Sequence, residues 1–151
     1  MLNLEYKKGD LFSNLKEEAI HLHANNASGN WGKGIAKMFR ARFPGAYEAH
    51  INRPNSVGDG YFLDEDDYKV GCLITSHGYG KRKDPPSKIL VQTYMSIQKL
   101  LESIDENEIF IQSPKINSGK FAVRWGLTAK VIKRACSKYP DKNVNWTVWE
   151  L

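Results

Sequence analysis

The stretch from Asn25 to Phe39 holds the clearest indication of a binding site in this chain. It joins an apolar run to a segment with helical spacing, and it contains Gly29, Gly32 and Gly34. Glycines let a ligand approach the backbone, and the free N–H groups at the start of a helix carry partial positive charge. The stretch therefore predicts a site for a phosphate or another anion.

His23 lies near the end of the apolar run, two residues before this stretch. An imidazole titrates near neutral pH, so His23 is the candidate general acid or base for hydrolytic chemistry at the site. Taken without its context, it is equally well explained as a packed strand histidine, and we assign that role to His21. Lys33 is a candidate for charge stabilisation, with a solvated lysine as the alternative.

The glycine spacing does not fit two common nucleotide-binding motifs. The order Gly29-x-x-Gly32-x-Gly34 reverses the dinucleotide pattern GxGxxG. A P-loop needs Ser or Thr after its Gly-Lys pair, and here Lys33 is followed by Gly34. Neither a dinucleotide-dependent dehydrogenase nor a P-loop NTPase is favoured.

Composition limits the remaining classes. The chain has 151 residues, a formal net charge of +5 and 41% hydrophobic residues, which is enough for one domain spanning residues 1–151. Cys72 and Cys136 lack the spacing of metal ligands, and we expect reduced core thiols, no metal site and no cofactor. Without an apolar leader or a membrane-length run, we expect an intracellular monomer, in the cytoplasm or nucleus if eukaryotic, with no membrane association. Nucleic acid is not favoured as a partner, because Lys81 to Lys83 is the longest basic run.

Hydrophobic periodicity predicts the elements that must position the site. Strands are expected around residues 2–6, 19–24, 61–63, 70–75, 109–111 and 144–148, and helices around 35–43, 46–51, 90–104 and 127–136. Strands that alternate with helices indicate a three-layer α/β/α fold with a mixed, mostly parallel sheet. The segment Ser76–Ser87, with its glycines and Pro85-Pro86, is predicted to be the most mobile.

Ligands of such sheets bind outside the carboxyl ends of the strands. The loops after Tyr6, His23 and Ile111 all leave predicted strands at that edge. The sequence therefore predicts that these three loops converge on one cleft.

These loops resemble those of the macrodomain family, which binds ADP-ribose, and the resemblance covers nearly the whole chain. Gly9-Asp10-Leu11 is similar to the signature whose aspartate accepts a hydrogen bond from the adenine amino group, and Asn26 is similar to the asparagine that orients the distal ribose. The resemblance also implies two loops around the phosphates and distal ribose, made of Gly32, Lys33, Gly34 and Ile35 and of Asn117, Ser118, Gly119, Lys120 and Phe121. Phe121 stands where the family has a ring that packs against that ribose.

Within the family, the chain is most similar to the small yeast-type ADP-ribose 1''-phosphate phosphatases. His23, the run from Trp31 to Ala36 and the run from Ile116 to Phe121 carry this likeness. It implies a metal-independent phosphatase that removes the 1''-phosphate, and we take His23 and Asn26 as its catalytic residues.

Two other functions stay open at this point. The same loops would serve a module that binds ADP-ribose or ADP-ribosylated proteins without turnover. They would also serve a hydrolase of ADP-ribosyl esters, such as O-acyl-ADP-ribose. Related hydrolases that act on acidic side chains use a lysine after the middle strand and an aspartate in the second loop, and the matching positions here are Ser76 and Phe121. That lysine-dependent route is therefore not expected.

Overall fold

Every strand and helix expected from the periodicity is present in the computed structural model, which describes residues 1–151. The strands are β1 (Leu2–Lys8), β2 (Ala19–Asn26), β3 (Gly60–Glu65), β4 (Tyr68–Ser76), β5 (Glu108–Ser113) and β6 (Asn143–Glu150). The helices are α1 (Gly34–Arg42), α2 (Pro44–Ile51), α3 (Pro86–Glu102) and α4 (Trp125–Ser137). Short 3₁₀ helices cover Leu11–Ser13 and Gly80–Arg82.

The six strands form one sheet in the order β1-β6-β5-β2-β4-β3. All neighbouring pairs are parallel except β3 with β4, which form an antiparallel hairpin, as the short acidic connection between residues 64 and 67 predicts. This confirms a mixed, mostly parallel sheet. The carboxyl ends of β1, β5, β2 and β4 consequently open on the same edge of the sheet, where the candidate loops begin.

Helices cover both faces of the sheet and complete the three layers. On one face, α3 and α4 contribute Ile97, Leu100 and Ile132 to a cluster that includes Trp146. On the other, α1 and α2 pack Phe39, Phe43 and Ala46 together with Trp31, Val70 and Cys72. None of the helices combines the length and apolar character needed to span a bilayer.

The helical spacing predicts that Met38, Phe39 and Phe43 share the packing face of α1, and Trp31 is expected to pack as well; one of these positions differs in the structure. Phe39 and Phe43 are fully buried, as expected, whereas Met38 is 45% exposed. The buried face runs through Ala36, Phe39 and Phe43, at spacings of three and four residues, so Met38 points to the side of it. Trp31, which precedes the helix, is fully buried as predicted.

Gly60 marks a close approach between β3 and α3. A Cβ atom at this position would lie 2.0 Å from the carbonyl oxygen of Ser96, so the strand and helix would have to separate. We expect Gly60→Ala to lower the free energy of unfolding by about 3 kcal/mol in urea denaturation. Gly126→Ala is the matched control, because an added Cβ there meets no atom within 4 Å. It should leave stability unchanged or raise it by up to about 1 kcal/mol; equal stabilities of the two variants would contradict the prediction.

Candidate functional site

A cleft of about 770 Å³ opens at the carboxyl edge of the sheet. Its walls come from the end of β2 and the loop that follows, the first turn of α1, the loop after β4 and the loop after β5. The lining residues are Ala24, Asn25, Asn26, Asn30, Gly32, Lys33, Gly34, Ile35, Ala36, Tyr79, Gly80, Pro114, Lys115, Ile116, Asn117, Gly119, Lys120 and Phe121. Two of the three predicted loops, those after β2 and β5, therefore converge, and the loop after β4 joins them. The loop after β1 contributes no lining residue, because β1 is the outermost strand and lies two strands away from β5.

The first turn of α1 contributes an anion-binding element to this cleft. Lys33 occupies the N-cap position in an extended conformation, and its side chain makes no capping hydrogen bond. The N–H groups at the start of a helix have no partner within the helix, and they carry the positive end of its dipole. Since Gly34, Ile35 and Ala36 line the cleft, this end of the helix is suited to bind a phosphate.

Gly34 brings the two glycine-containing loops together. Its φ of +60° lies in the left-handed region, which glycine adopts without strain. A Cβ atom at Gly34 would lie 3.4 Å from Cγ of Lys120, so the lysine stem lies along the bare face of the glycine. The ammonium group of Lys120 is thereby held on the same side of the cleft as the start of α1.

The charge of the lining is entirely positive. Lys33, Lys115 and Lys120 line the cleft, and none of its lining residues is aspartate, glutamate or histidine. Lys115 forms an ion pair with Glu150, which leaves Lys33 and Lys120 without an acidic partner. Nor does the structure bring three or more potential metal-ligating side chains together anywhere. The cleft is therefore built for an anionic ligand that contributes its own negative charge.

Asn26 lies at the cleft wall with its side chain held in place. Its Oδ1 accepts a hydrogen bond from the backbone N–H of Ser28 at 2.9 Å, and its Nδ2 donates to Oδ1 of Asn25 at 3.3 Å. Only 5% of Asn26 is exposed. A fixed amide at this position can orient a hydroxyl group of a ligand, which is the role that the resemblance implies.

The second loop is braced from below by Asn117. Its Oδ1 accepts from the Thr75 hydroxyl and its Nδ2 donates to the Thr93 hydroxyl, both at 2.9 Å, and its φ is +66°. The side chain of Asn117 thus shapes the loop. Phe121 lines the cleft while packing against Ile89, whereas Ser118 does not line it.

Asp10 and Leu11 are not among the lining residues. The Asp10 carboxylate accepts hydrogen bonds from the Phe12 N–H at 3.1 Å and the Ser13 hydroxyl at 3.3 Å, so it caps the short 3₁₀ helix. Leu11 is buried in the core. The adenine contact of Asp10 stays a prediction, since each carboxylate oxygen retains a free lone pair.

His23 is placed in the core rather than in the cleft. Its ring stacks on Phe39 at 4.4 Å between centroids and meets Trp31 edge-on at 4.4 Å. Neither ring nitrogen has a hydrogen-bond partner, and burial lowers the pKa of His23 to about 3, with the nearby His50 adding to the effect. This placement does not support the general acid or base role expected from the sequence, because the neutral ring has no route to a ligand.

Tyr79 lines the cleft but was not expected from the sequence. Tyr79 follows β4, which is parallel to β2 and ends at the same edge of the sheet. Its position after such a strand is the feature from which it could have been predicted. The surrounding sequence was instead predicted only as a mobile connection. Asn30 also lines the cleft; it lies within the stretch predicted from Asn25 to Phe39, but no pattern distinguishes it from its neighbours there.

Comparison with known proteins places this geometry in context. The chain is 33% identical to the ADP-ribose 1''-phosphate phosphatase of Debaryomyces hansenii, over 87% of this chain and 93% of that protein. It is 30% identical to the ADP-ribose 1''-phosphate phosphatase of Candida glabrata over the full length of both chains. No family model matches the chain.

The fold has close counterparts among solved structures. The macrodomain of Thermus aquaticus DarG superimposes with a TM-score of 0.75 at 18% identity, over 98% of this chain and 99% of that one. A macrodomain protein from Streptomyces coelicolor gives a TM-score of 0.73 at 21% identity, over 99% of each chain. The predicted macrodomain fold is therefore confirmed.

Proposed function

This chain belongs to the ADP-ribose 1''-phosphate phosphatase family, and we infer that it hydrolyses ADP-ribose 1''-phosphate to ADP-ribose and inorganic phosphate. The observation that carries this inference is the cleft itself. Two unpaired lysines and the start of α1 meet there, and no carboxylate lines it. Such a lining suits a ligand with both a diphosphate and a phosphomonoester, because each of these groups brings negative charge.

In this proposal, the ligand lies along the carboxyl edge of the sheet. Asp10 accepts from the adenine amino group at one end, and the backbone from Gly32 to Ile35 holds the diphosphate together with the loop Asn117–Lys120. Asn26 orients the hydroxyl groups of the distal ribose, against which Phe121 packs. The phosphomonoester then lies near Lys33 and Lys120.

The chemistry that follows needs charge stabilisation more than proton transfer. The oxygen of a water molecule bonds to phosphorus and the bond between phosphorus and the 1''-oxygen breaks. One proton of that water ends on the 1''-oxygen, which becomes the hydroxyl of ADP-ribose, and the other stays with the inorganic phosphate. Phosphoryl transfer passes through a loose transition state whose charge is spread over the equatorial oxygens. Positive groups fixed around those oxygens lower the barrier, and the lysines and helix start are such groups.

Incubation of the purified protein with ADP-ribose 1''-phosphate tests this function directly. We expect phosphate and ADP-ribose to be released in equal amounts, as measured by chromatography of the reaction mixture. A simple phosphomonoester such as p-nitrophenyl phosphate should be hydrolysed far more slowly, because it lacks the groups that the rest of the cleft binds. Tight binding of ADP-ribose without phosphate release would contradict the phosphatase function.

That contrary outcome corresponds to a second candidate function. No histidine or carboxylate lines the cleft, so the side chains that most often act as general acid or base are missing from it. This favours a module that binds ADP-ribose, or an ADP-ribosylated protein, without hydrolysis. A panel of ADP-ribosyl esters, including O-acyl-ADP-ribose, run beside the phosphate substrate would also reveal ester hydrolysis.

A further inference from the structure

The segment between β4 and α3 is fastened rather than loose. The Ser76 hydroxyl donates to the carbonyl of Gly78 at 2.8 Å, and the Asp84 N–H donates back to that hydroxyl at 2.9 Å. The Asp84 carboxylate also accepts from the His77 N–H at 3.0 Å and its Nδ1 at 2.7 Å. These bonds close the segment into a loop, which we call the 77–84 loop.

A helix contact anchors the 77–84 loop to the body of the protein. Gln92 of α3 donates to Oδ2 of Asp84 at 3.0 Å and to the carbonyl of Thr75 at 2.6 Å. Although burial disfavours the charged form of Asp84, the hydrogen bonds from Gln92 and His77 lower its pKa. The Asp84 carboxylate is thus ionised at neutral pH. Hydrogen bonds to a charged acceptor are stronger than those to a neutral one, so the bonds from Gln92 and His77 are strengthened.

Tyr79 lies at the cleft side of this loop, held by a hydrogen bond from the Arg82 N–H to its carbonyl at 3.0 Å, while its side chain has no partner. It is 50% exposed, its hydroxyl makes no hydrogen bond, and its ring pairs with no other aromatic ring. A large aromatic side chain displayed on a rigid loop at the wall of a ligand cleft has an unused packing face. The cleft is where that face can be covered.

The order of strands in the sheet determines at which end of the cleft Tyr79 lies. The Cα of Ser76 pairs with that of Asn26, and the N–H of Ala27 donates to the Ser76 carbonyl at 2.9 Å, so β4 ends beside Asn26. Asp10 follows β1, which lies four strand spacings away, or about 19 Å. Tyr79 is therefore at the end of the cleft remote from Asp10.

We propose that Tyr79 is a positioning residue that packs its ring against the distal ribose and holds it at the Asn26 side of the cleft. This rests on the proposed function for the direction in which the ligand lies. The aromatic ring of Tyr79 packs on the sugar, and the phenolic hydroxyl takes no part in this contact. The hydrogen-bonded 77–84 loop holds the ring in position before the ligand binds. A preformed contact of this kind raises affinity because little order is lost on binding.

Calorimetric titration with ADP-ribose and with ADP, which lacks the distal ribose, tests the placement. We expect Tyr79→Ala to weaken ADP-ribose binding about tenfold and ADP binding less than twofold. Tyr79→Phe keeps the ring and should bind both ligands within about twofold of the wild type. Unchanged ADP-ribose affinity in Tyr79→Ala, equal losses for both ligands, or an equal loss in Tyr79→Phe would each overturn the inference.

A double-mutant cycle with Asp84 tests whether the loop acts through the ring. We expect Asp84→Ala to weaken ADP-ribose binding about threefold in the wild type and not at all in Tyr79→Ala, because the positioned ring is already absent. Additive losses would overturn that part of the inference. If the wild type binds ADP-ribose but releases no phosphate, the phosphatase proposal fails and the Tyr79 comparison can still be made. If the wild type binds neither ADP-ribose nor ADP, both the proposed function and the Tyr79 inference are overturned.

Discussion

Replacing Lys120 with methionine is expected to lower kcat/KM for ADP-ribose 1''-phosphate by about 100-fold, a loss typical of removing one charge-stabilising group from a transition state. Methionine retains a stem that can lie along Gly34, so the loop packing survives and only the ammonium group is lost. The effect should be larger for the phosphorylated substrate than for binding of ADP-ribose, because only the substrate carries the phosphomonoester. Steady-state kinetics of phosphate release and calorimetry with ADP-ribose measure the two quantities.

Lys115 provides the matched control for this prediction. It lines the same cleft, but its ammonium group is paired with Glu150, so its charge is already neutralised. We expect Lys115→Met to change kcat/KM by less than about threefold, and Lys120→Arg to recover most of the loss. Equal effects of the Lys115 and Lys120 variants would show that the cleft responds only to overall charge, against a specific contact of Lys120.

The elements of this fold follow from local patterns in the sequence. Leu2, Leu4 and Tyr6 alternate with polar neighbours, and Ile97 and Leu101 recur at helical spacing, so β1 and α3 are expected without knowledge of the tertiary structure. The convergence of the loops after β2 and β5 follows in turn, because parallel strands end at a common edge. The Gly32–Ile35 loop could accordingly be placed in the cleft from the sequence.

The orientation of individual side chains could not be predicted in the same way. β2 is buried on both faces, so alternation along it does not show whether His23 faces the cleft or the aromatic cluster. Tertiary neighbours decide the matter, since Phe39 stacks on the ring of His23 and Trp31 packs against it edge-on. Tyr79 could not be predicted because its loop shows no periodicity at all. The loop is held by hydrogen bonds from His77 and Gln92 to the Asp84 carboxylate, and no local sequence pattern indicates these bonds.

The burial of His23 has a large expected consequence for stability in acid. Burial lowers the pKa of His23 to about 3, whereas an exposed histidine in the unfolded chain titrates near 6.5. Between these pH values the unfolded state binds more protons than the folded state. The contribution of His23 to the free energy of unfolding is therefore complete above about pH 6.5 and is lost as the pH falls towards 3. The full loss is on the order of 5 kcal/mol. Burial also lowers the pKa of His50, to about 4, which adds to it.

We therefore expect His23→Phe to flatten the pH dependence of the free energy of unfolding between pH 7 and pH 4. Phenylalanine keeps an aromatic ring between Trp31 and Phe39 and carries no group to protonate, so acid unfolding should begin at a lower pH than in the wild type. His21→Phe is the comparison variant. Burial lowers the pKa of His21 as well, so this variant should also flatten the pH dependence, but Nδ1 of His21 donates to the Lys69 carbonyl at 2.9 Å and Nε2 accepts from the Lys16 N–H at 3.1 Å. Losing those bonds should destabilise that variant even at pH 7. Urea denaturation at several pH values makes the comparison.

The same His23→Phe variant separates the two roles considered for this residue. A general acid or base contributes roughly 100-fold or more to a rate, so a catalytic His23 would leave the folded variant nearly inactive. Because the ring lies outside the cleft lining and has no hydrogen-bond partner, we expect phosphate release within about threefold of the wild type. A folded, acid-resistant variant with a 100-fold loss of turnover would place His23 in the reaction after all. Retained turnover would leave charge stabilisation by Lys33, Lys120 and the start of α1 as the source of catalysis.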